Sequence, residues 1–406
     1  PRGRPEDGGK EMRTDYDVIV VGAGPAGSMT AKHAAKKGAR VLMIEKRQEI
    51  GASLRCAEGV NKKGLAKAGV PVDKRWVSAD IAGAKLVSPG GHVFRIDESQ
   101  AGAEVGLVLE RHLFDKAMAA DAARAGAEIW LKTAAVDVVK DGDKVVGVKA
   151  KREGEPMTLT AGCVVAADGF ESQVARWAGI DTSLKAGDIT TCYQYRMTNL
   201  KTEPDYCEFI IGSVAPGGYI WVFPKGDDTA NVGIGVLASK LKKPGDVKMY
   251  LDSWIKKDPR LSCGQPLEAL AGGVSVSPPV EQSVMNGLIL VGDSARIIDP
   301  ITGGGIANGL LAGKYAGEVL GDCVQAKDFS AEALMPYDKL WRDAMEDRLW
   351  RNWMAKEKFL TLSDKTLDGV IDTLSTANVD KMSVHNILIA IKEKHPELVK
   401  EFEELI

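Results

Sequence analysis

Long apolar runs, paired cysteines and an excess of charge are all missing from this sequence. No run of 18 or more apolar residues is present, so no stretch has the composition of a membrane-spanning helix. The six cysteines are scattered without a C-x-x-C pair, which argues against a zinc site or an iron–sulfur cluster built from this chain alone. Because 53 basic residues stand against 56 acidic ones, nothing suggests nucleic acid as a partner.

The first residues of the sequence also lack the features of a secretory signal. Residues 1–13 are polar, glycine-rich and charged, without the apolar core of a secretory signal. We expect them to form a flexible leader outside the fold, and we expect a cytoplasmic protein whose cysteines are reduced thiols. With 406 residues the chain can bury a large core in one composite domain or two.

The strongest pattern present is a glycine-rich turn, Gly22-Ala-Gly24-Pro-Ala-Gly27, between an apolar strand at 18–21 and a predicted helix. The first glycine permits the tight turn, the second lets a pyrophosphate approach the backbone, and the third allows close packing of helix on strand. Glu45 ends the next predicted strand and can accept hydrogen bonds from both hydroxyls of an adenine ribose. The pattern predicts a mononucleotide-binding βαβ unit, and leaves open which dinucleotide it binds.

Two later strands end in similar small-residue turns. One ends at Asp168-Gly169, and the other ends at Gly292-Asp293 and is followed by the loop Thr302-Gly-Gly-Gly305. The three glycines of that loop expose backbone N–H groups at the start of a helix, which makes an anion or dipole site.

A third pattern is an aromatic strand. Side chains two residues apart share a strand face, so Tyr219, Trp221 and Phe223 are expected to project together. The next strand places Gly233 and Gly235 on one face, and rings beside bare glycines would leave a wide apolar space. The alternative is an aromatic core strand packed on a glycine strand, and both interpretations stay open.

Cys56 lies on a loop between a cation and an acid, in Arg55-Cys-Ala-Glu-Gly59. A loop cysteine has fewer packing reasons to exist than one in a strand, although a small apolar residue tucked into the core is an equal alternative.

Taken together, the motifs resemble the geranylgeranyl reductases, in particular the archaeal digeranylgeranylglycerophospholipid reductases. The resemblance rests on Arg55-Cys-Ala-Glu-Gly59, Tyr219-Ile-Trp-Val-Phe-Pro224 and Asp299-Pro-Ile-Thr-Gly-Gly-Gly305, and runs from about residue 16 to the C-terminus. These proteins fall within the FAD proteins that resemble p-hydroxybenzoate hydroxylase. One departure is Cys-Ala-Glu where many members read Cys-Gly-Glu, which we expect to alter backbone freedom rather than cofactor choice.

The resemblance implies an α/β protein with a Rossmann-like FAD-binding domain of the GR2 type. We expect this domain to be discontinuous, over 14–187 and 280–325. An antiparallel β-sheet substrate domain would occupy 188–279, and a C-terminal helical region 326–406.

The resemblance also implies the site residues. Those expected to bind FAD are Gly22, Gly24, Ala26, Gly27, Glu45, Cys56, Ala57, Gly59, Arg111, Ala135, Asp168, Gly292, Asp293, Gly304, Gly305 and Ile306. Tyr219, Trp221 and Phe223 would contact the substrate, and Cys56, Tyr219 and Trp221 would be catalytic. No metal is expected.

The implied reaction saturates isoprenoid double bonds of a geranylgeranyl lipid, with Cys56 as first candidate for proton donor and Tyr219 as second. No second Rossmann fingerprint is present, so electrons would come from NAD(P)H docking transiently or from reduced ferredoxin. A long prenyl chain implies peripheral contact with the inner face of the cell membrane. The rivals are an FAD-dependent aromatic or polyprenyl monooxygenase and a non-catalytic prenyl-lipid carrier.

Overall fold

The computed structural model describes residues 15–52, 55–97, 106–243 and 245–376, which form three β-sheets and eight α-helices. The expected leader and residues 377–406 lie outside these ranges. In chain order the strands are β1 (Tyr16–Val21), β2 (Val41–Ile44), β3 (Gly59–Val60), β4 (Val77–Asp80), β5 (Gly83–Val87), β6 (Val93–Asp97), β7 (Leu107–Leu109), β8 (Glu128–Trp130), β9 (Thr133–Asp141), β10 (Lys144–Arg152), β11 (Glu155–Ala166), β12 (Ile189–Thr198), β13 (Tyr206–Ile211), β14 (Tyr219–Pro224), β15 (Ala230–Leu237), β16 (Gln265–Ser275), β17 (Val284–Met285) and β18 (Leu288–Leu290). The α-helices are α1 (Pro25–Lys36), α2 (Lys62–Ala68), α3 (Arg111–Arg124), α4 (Gln173–Ala178), α5 (Asp246–Lys257), α6 (Ile306–Ala326), α7 (Ala331–Phe359) and α8 (Asp364–Thr376).

The first sheet has the order β17-β18-β11-β1-β2-β8, with β9 and β10 continuing from β11. Its central strands are parallel and fully apolar because helices cover both faces, and Val18–Val21 are buried as the sequence predicts. Helix α6 packs tightly on α1 because its small residues leave room. A Cβ added to Gly313 would come closer than 3.0 Å to the carbonyl oxygen of Ala26.

The second sheet has the order β16-β12-β15-β14-β13-β5-β6 and is antiparallel except where β13 and β5 run parallel. Strands β5 and β6 therefore join the sheet of the predicted substrate domain, although the expected boundary grouped them with 14–187. The sequence around Pro89-Gly90-Gly91 indicates a hairpin turn between β5 and β6. It does not indicate that β5 pairs with the distant strand β13. A small third sheet, β3-β7-β4, completes the described strands.

Helices α7 and α8 end the described chain, as the predicted helical region requires. Tyr337 and Trp341 on α7 are fully buried, and their polar groups bond to the first sheet's edge: Tyr337 OH to the Leu290 carbonyl oxygen at 2.7 Å and Trp341 Nε1 to Ser283 Oγ at 3.0 Å. Among the described residues, no helix combines the length and apolarity needed to cross a membrane.

Candidate functional site

The glycine-rich turn after β1 contains glycines of two kinds. Gly22 has a φ of +108°, and a Cβ there would come closer than 3.0 Å to the Ala167 carbonyl oxygen. A Cβ on Gly27 would be equally close to the Gly22 carbonyl oxygen, whereas a Cβ on Gly24 would meet nothing within 4 Å. Packing therefore requires the outer two glycines, and the middle one borders open space.

Open backbone donors and a carboxylate meet beside this turn. Helix α1 begins after Gly24 with no side-chain cap, so its first N–H groups, including that of Ala26, are available to a ligand. Glu45, 9% exposed, accepts hydrogen bonds from the N–H groups of Ala23 at 3.3 Å and Arg47 at 2.9 Å. The carboxylate therefore lies beside the glycine-rich turn, and its contact with a ribose stays a prediction.

Ala135 and Asp168 occupy different parts of this edge. The N–H of Thr133 donates to the Glu45 carbonyl oxygen at 2.9 Å, so Ala135 on β9 follows closely on the end of β2. The Asp168 carboxylate accepts from Ser294 Oγ at 2.8 Å and from the Val174 N–H at 3.0 Å. Its oxygens thus hold two turns together, and a direct cofactor contact stays a prediction.

The turn at Gly292-Asp293 bridges the two glycine-rich segments. A Cβ on Gly292 would lie 2.9 Å from the Ala26 Cβ, and one on Gly305 would lie 2.9 Å from Asp293 Oδ1. Burial raises the pKa of Asp293, with the Arg111 charge opposing the shift. Among the described residues no donor bonds the Asp293 carboxylate, which leaves it free to accept from a ligand hydroxyl.

The loop before α6 is held from behind. Asp299, 1% exposed, accepts hydrogen bonds from Arg348 Nη1 at 3.0 Å and Asn352 Nδ2 at 2.6 Å on α7. Gly305 then begins α6 with no side-chain cap. The positive end of the α6 dipole is therefore presented to the space in front of the loop.

These features fit FAD. Two uncapped helix N-termini suit a pyrophosphate and a flavin edge that carries negative charge, and Glu45 suits the adenine ribose. The Asp293 carboxylate, to which no donor of the described residues bonds, lies between them.

A cavity of about 810 Å³ lies in front of the α6 N-terminus, between the second sheet and the α7–α8 turn. It brings together the sequence-predicted residues Cys56, Ala57, Gly59, Tyr219, Trp221, Phe223, Gly304, Gly305 and Ile306. The remaining predicted residues lie outside its lining, along the carboxyl ends of the first sheet and at the start of α3.

The aromatic strand forms one wall, and of the two glycines on the next strand Gly235 lines the cavity whereas Gly233 is covered by Trp221. Trp221 pairs with Gly233 across β14 and β15, and its indole lies so close that a Cβ on Gly233 would come nearer than 3.0 Å. Tyr219 OH donates to the Thr302 carbonyl oxygen, and Phe209, which sequence reasoning missed, packs against Tyr219 and Phe223. The open space therefore borders the rings on their cavity side and not the face of Gly233.

Cys56 is half-buried and lines the cavity. The Glu58 N–H donates to Cys56 Sγ at 3.2 Å, and the Arg111 guanidinium contacts the same sulfur. Burial raises the pKa of the Cys56 thiol above its ordinary value, and the Arg111 charge offsets only part of this rise. The sulfur therefore carries its proton at neutral pH. Cys56 therefore lies at the cavity, and its chemical role stays a prediction.

Arg111 is buried and paired rather than open. Its Nε and Nη2 donate to the two carboxylate oxygens of Asp115, each at 2.8 Å. Although burial disfavours its charge, the Asp115 and Cys56 partners raise the pKa of Arg111 above its ordinary value. The expected nucleotide contact of Arg111 stays a prediction.

Comparison with known proteins gives two matching family models. The model of the geranylgeranyl reductase catalytic domain matches residues 188–274, and that of an FAD binding domain matches residues 15–230. The digeranylgeranylglycerophospholipid reductase of Picrophilus torridus is 47% identical over 397 residues, 97% of this chain and 100% of the relative. The protein of the same name from Thermoplasma volcanium is 48% identical over 393 residues, 96% of this chain and 99% of the relative.

Solved structures agree. A geranylgeranyl bacteriochlorophyll reductase-like protein from Thermoplasma acidophilum superposes with a TM-score of 0.92 at 47% identity, covering 96% of this chain and 99% of that one. A flavin-dependent brominase has a TM-score of 0.69 at 21% identity, covering 94% of this chain and 99% of that one, and shares the fold alone. The chain therefore belongs to the geranylgeranyl reductase family of FAD-binding proteins.

Proposed function

We propose that the protein is an FAD-dependent reductase that saturates the isoprenoid double bonds of geranylgeranyl chains, those of digeranylgeranylglycerophospholipids in archaeal membrane lipid synthesis. One observation carries the proposal: a single cavity joins a protonated thiol, an aromatic wall and an uncapped helix N-terminus. The full-length identity to the named relatives supports the same substrate class.

The cavity suits a flexible hydrocarbon. Its volume of about 810 Å³ lies within the usual range of roughly 300–1,000 Å³ for ligand sites. Phe359, Leu360, Leu362 and Leu367 of the α7–α8 region supply apolar surface opposite the aromatic strand. Each methylene buried there would stabilise the bound chain by about 0.8 kcal/mol, so binding needs no polar anchor along the prenyl tail.

Saturating an isolated double bond adds a hydride to one carbon and a proton to the other. Bound FAD, once reduced by the electron donor, would supply the hydride and return to its oxidised form. Cys56 would release the proton from Sγ, Arg111 would stabilise the resulting thiolate, and water would restore the proton. Positive charge developing on the substrate carbon would face the rings of Tyr219 and Trp221.

Tyr219 is the weaker candidate for proton donor. Its hydroxyl proton is directed to the Thr302 carbonyl oxygen, which ties the aromatic strand to the loop before α6. We therefore assign Tyr219 and Trp221 to the wall that orients the alkene and excludes water, and Cys56 to proton transfer.

The electrons would come from NAD(P)H or from a reduced ferredoxin, each meeting the protein only transiently. The lipid substrate would be taken from the inner face of the cell membrane during a peripheral encounter.

Mass spectrometry of the lipid after anaerobic incubation with dithionite-reduced protein tests the proposal. We expect a gain of two hydrogens for each double bond saturated. A hydroxylated product formed only with oxygen would establish a monooxygenase instead, and unchanged lipid under every donor would leave a carrier. Parallel incubations with NADH, NADPH and reduced ferredoxin would identify the donor by which one replaces dithionite.

A further inference from the structure

The loop that carries Cys56 is held by side chains of the second sheet. Gln194 Nε2 on β12 donates to the Cys56 carbonyl oxygen at 3.2 Å, and Asn231 Nδ2 on β15 donates to the Ala57 carbonyl oxygen at 3.2 Å. Asn231 Nδ2 also donates to Glu58 Oε2 at 2.8 Å. Three successive loop residues are therefore bonded by two amides on neighbouring strands.

These contacts are buried. Gln194 is 4% exposed, Asn231 is 1% exposed and Glu58 is 7% exposed. Buried amides and carboxylates are costly without hydrogen-bond partners, so the loop and the sheet stabilise each other only in one relative position. Lys225 adds to this constraint, since its Nζ lies 2.8 Å from Glu58 Oε2.

Gln194 also fixes the aromatic wall. The indole N–H of Trp221 can only donate, and it bonds Gln194 Oε1 at 2.8 Å. The amide nitrogen of Gln194 must then point to the Cys56 carbonyl oxygen. One side chain thereby sets the distance between the thiol loop and the ring that borders the substrate.

Asn231 acts on the thiol through Glu58. Glu58 has a φ of +73°, a left-handed conformation that is unfavourable for a residue with a side chain. In this conformation the Glu58 N–H reaches Cys56 Sγ at 3.2 Å, while its carboxylate is bonded by Asn231, Lys225 and the Arg111 N–H. Those carboxylate contacts hold the strained residue in place.

We propose that Gln194 and Asn231 are positioning residues that hold the Cys56 thiol at a fixed place beside Trp221. The proposal deepens the reductase function above and rests on it. Neither residue donates a proton or needs to touch the substrate, because both act through the backbone and carboxylate of the loop.

Two variants test the proposal, Gln194→Glu and Asn231→Ala. Glutamate at 194 keeps the acceptor for Trp221 Nε1 and loses the donor to the Cys56 carbonyl oxygen. The matched control is Gln282→Glu, because Gln282 Nε2 also donates to a carbonyl oxygen, that of Val284 at 3.1 Å, outside the cavity lining.

Activity and thiol chemistry are both measured. For both Gln194→Glu and Asn231→Ala we expect kcat to fall about 10- to 100-fold, since small displacements of reacting groups carry such costs, with KM for a geranylgeranyl lipid changed less than about threefold. The rate of Cys56 alkylation by iodoacetamide, followed by peptide mass spectrometry across pH, should reach a plateau at least about threefold higher because the released thiol is more accessible. The plateau of the alkylation rate reports how accessible the thiol is to iodoacetamide, and the midpoint of the pH profile reports the thiol pKa. A charge added at residue 194 would move the midpoint, whereas a displaced loop would raise the plateau.

An unchanged kcat and alkylation plateau in Gln194→Glu would overturn the proposal, as would a fall in kcat with an unaltered plateau. If Asn231→Ala fails to fold, the nearly isosteric Gln194→Glu decides. Should the wild-type protein leave the lipid unsaturated, the proposed function fails, whereas the alkylation profile still shows whether the two amides position the thiol.

Discussion

The turn at Gly22–Gly27 and the cavity beside Tyr219 are two binding surfaces built in opposite ways. In the turn, the absence of side chains is the requirement, because a Cβ on Gly22 or Gly27 would collide with backbone. In the cavity, side chains from the Cys56 loop, the second sheet and the α7–α8 turn meet from distant parts of the chain. The glycine-rich turn is thus a local structure, whereas the cavity proposed for the substrate forms only once these distant segments have packed together.

The largest effects are expected from alanine substitutions at Gly27 and Gly24, which test whether the turn depends on the absence of side chains. Gly27→Ala places a Cβ against the Gly22 carbonyl oxygen, and we expect it to lower the free energy of unfolding by about 4 kcal/mol or more and to abolish FAD binding. Gly24→Ala meets open space at a φ of −73° and should fold normally while losing FAD affinity. Thermal melts and bound-flavin content measure both, and equal stability of the two variants would contradict the distinction.

On the cavity side, Trp221→Ala should cost about 3 kcal/mol of folding stability, since it uncovers Gly233 and leaves the side-chain oxygen Oε1 of Gln194 without its donor. FAD content should remain, because Trp221 lies outside the turn. Trp350, 40% exposed on α7, is the control, and Trp350→Ala should change stability by less than about 1 kcal/mol. Urea unfolding of both variants provides the measurement, and similar losses would show that Trp221 does not anchor this wall.

Acid should weaken the ion pairs that join Glu110, just before α3, to Arg196 and Lys225 of the second-sheet region. Burial alone would raise the pKa of Glu110, but the Arg196 hydrogen bond and the Lys225 charge outweigh it and lower the pKa to about 2 from an ordinary 4.5. Because the folded pKa is the lower one, the stabilisation is present above about pH 4.5 and is lost as pH falls towards 2. Allowing for half-burial, we expect about 2 kcal/mol to disappear over this window. Urea unfolding at several pH values should show the free energy of unfolding falling with pH in wild type and falling less in Glu110→Gln. An equal pH dependence in the two proteins would show that Glu110 is not the group responsible.

The smallest effect is expected at the ribose contact. Glu45→Gln removes a charge and one acceptor. It should weaken FAD binding about tenfold and lower the free energy of unfolding by about 1 kcal/mol, because one of the two backbone N–H groups loses its acceptor. Calorimetric titration of FAD into the apoprotein measures this, with Glu49→Gln as control, since Glu49 is exposed and pairs with Lys116. A tenfold loss of FAD affinity in Glu49→Gln as well would show that the effect comes from the change in net charge and not from a ribose contact of Glu45.

The parts of the fold that the sequence predicts are those fixed by neighbours along the chain. The strand, turn and helix around Gly22 follow from one short stretch, and the shared face of Tyr219, Trp221 and Phe223 follows from the two-residue period of a strand. The sequence leaves two interpretations of the glycine strand open, because the covering of Gly233 by Trp221 depends on hairpin register and on the size of the indole, whereas Gly235 lines the cavity.

The residues that join the Cys56 loop to the second sheet could not be predicted, because no local pattern marks them. Gln194 is 138 positions from the Cys56 carbonyl oxygen that it bonds, and Lys225 is 167 positions from Glu58. Each reads in sequence as an ordinary strand or turn residue. Their roles arise from burial and from partners that the tertiary structure supplies.

The most direct test of the central claim is anaerobic single-turnover reoxidation of the dithionite-reduced protein by a geranylgeranyl lipid. Wild type and Cys56→Ala are compared, with Cys263→Ala as the control because Cys263 lies outside the cavity lining. We predict that lipid restores the flavin absorbance in wild type and in the control, and does so about 100-fold or more slowly in Cys56→Ala. A wild-type rate in Cys56→Ala would contradict the assignment of proton transfer to this thiol.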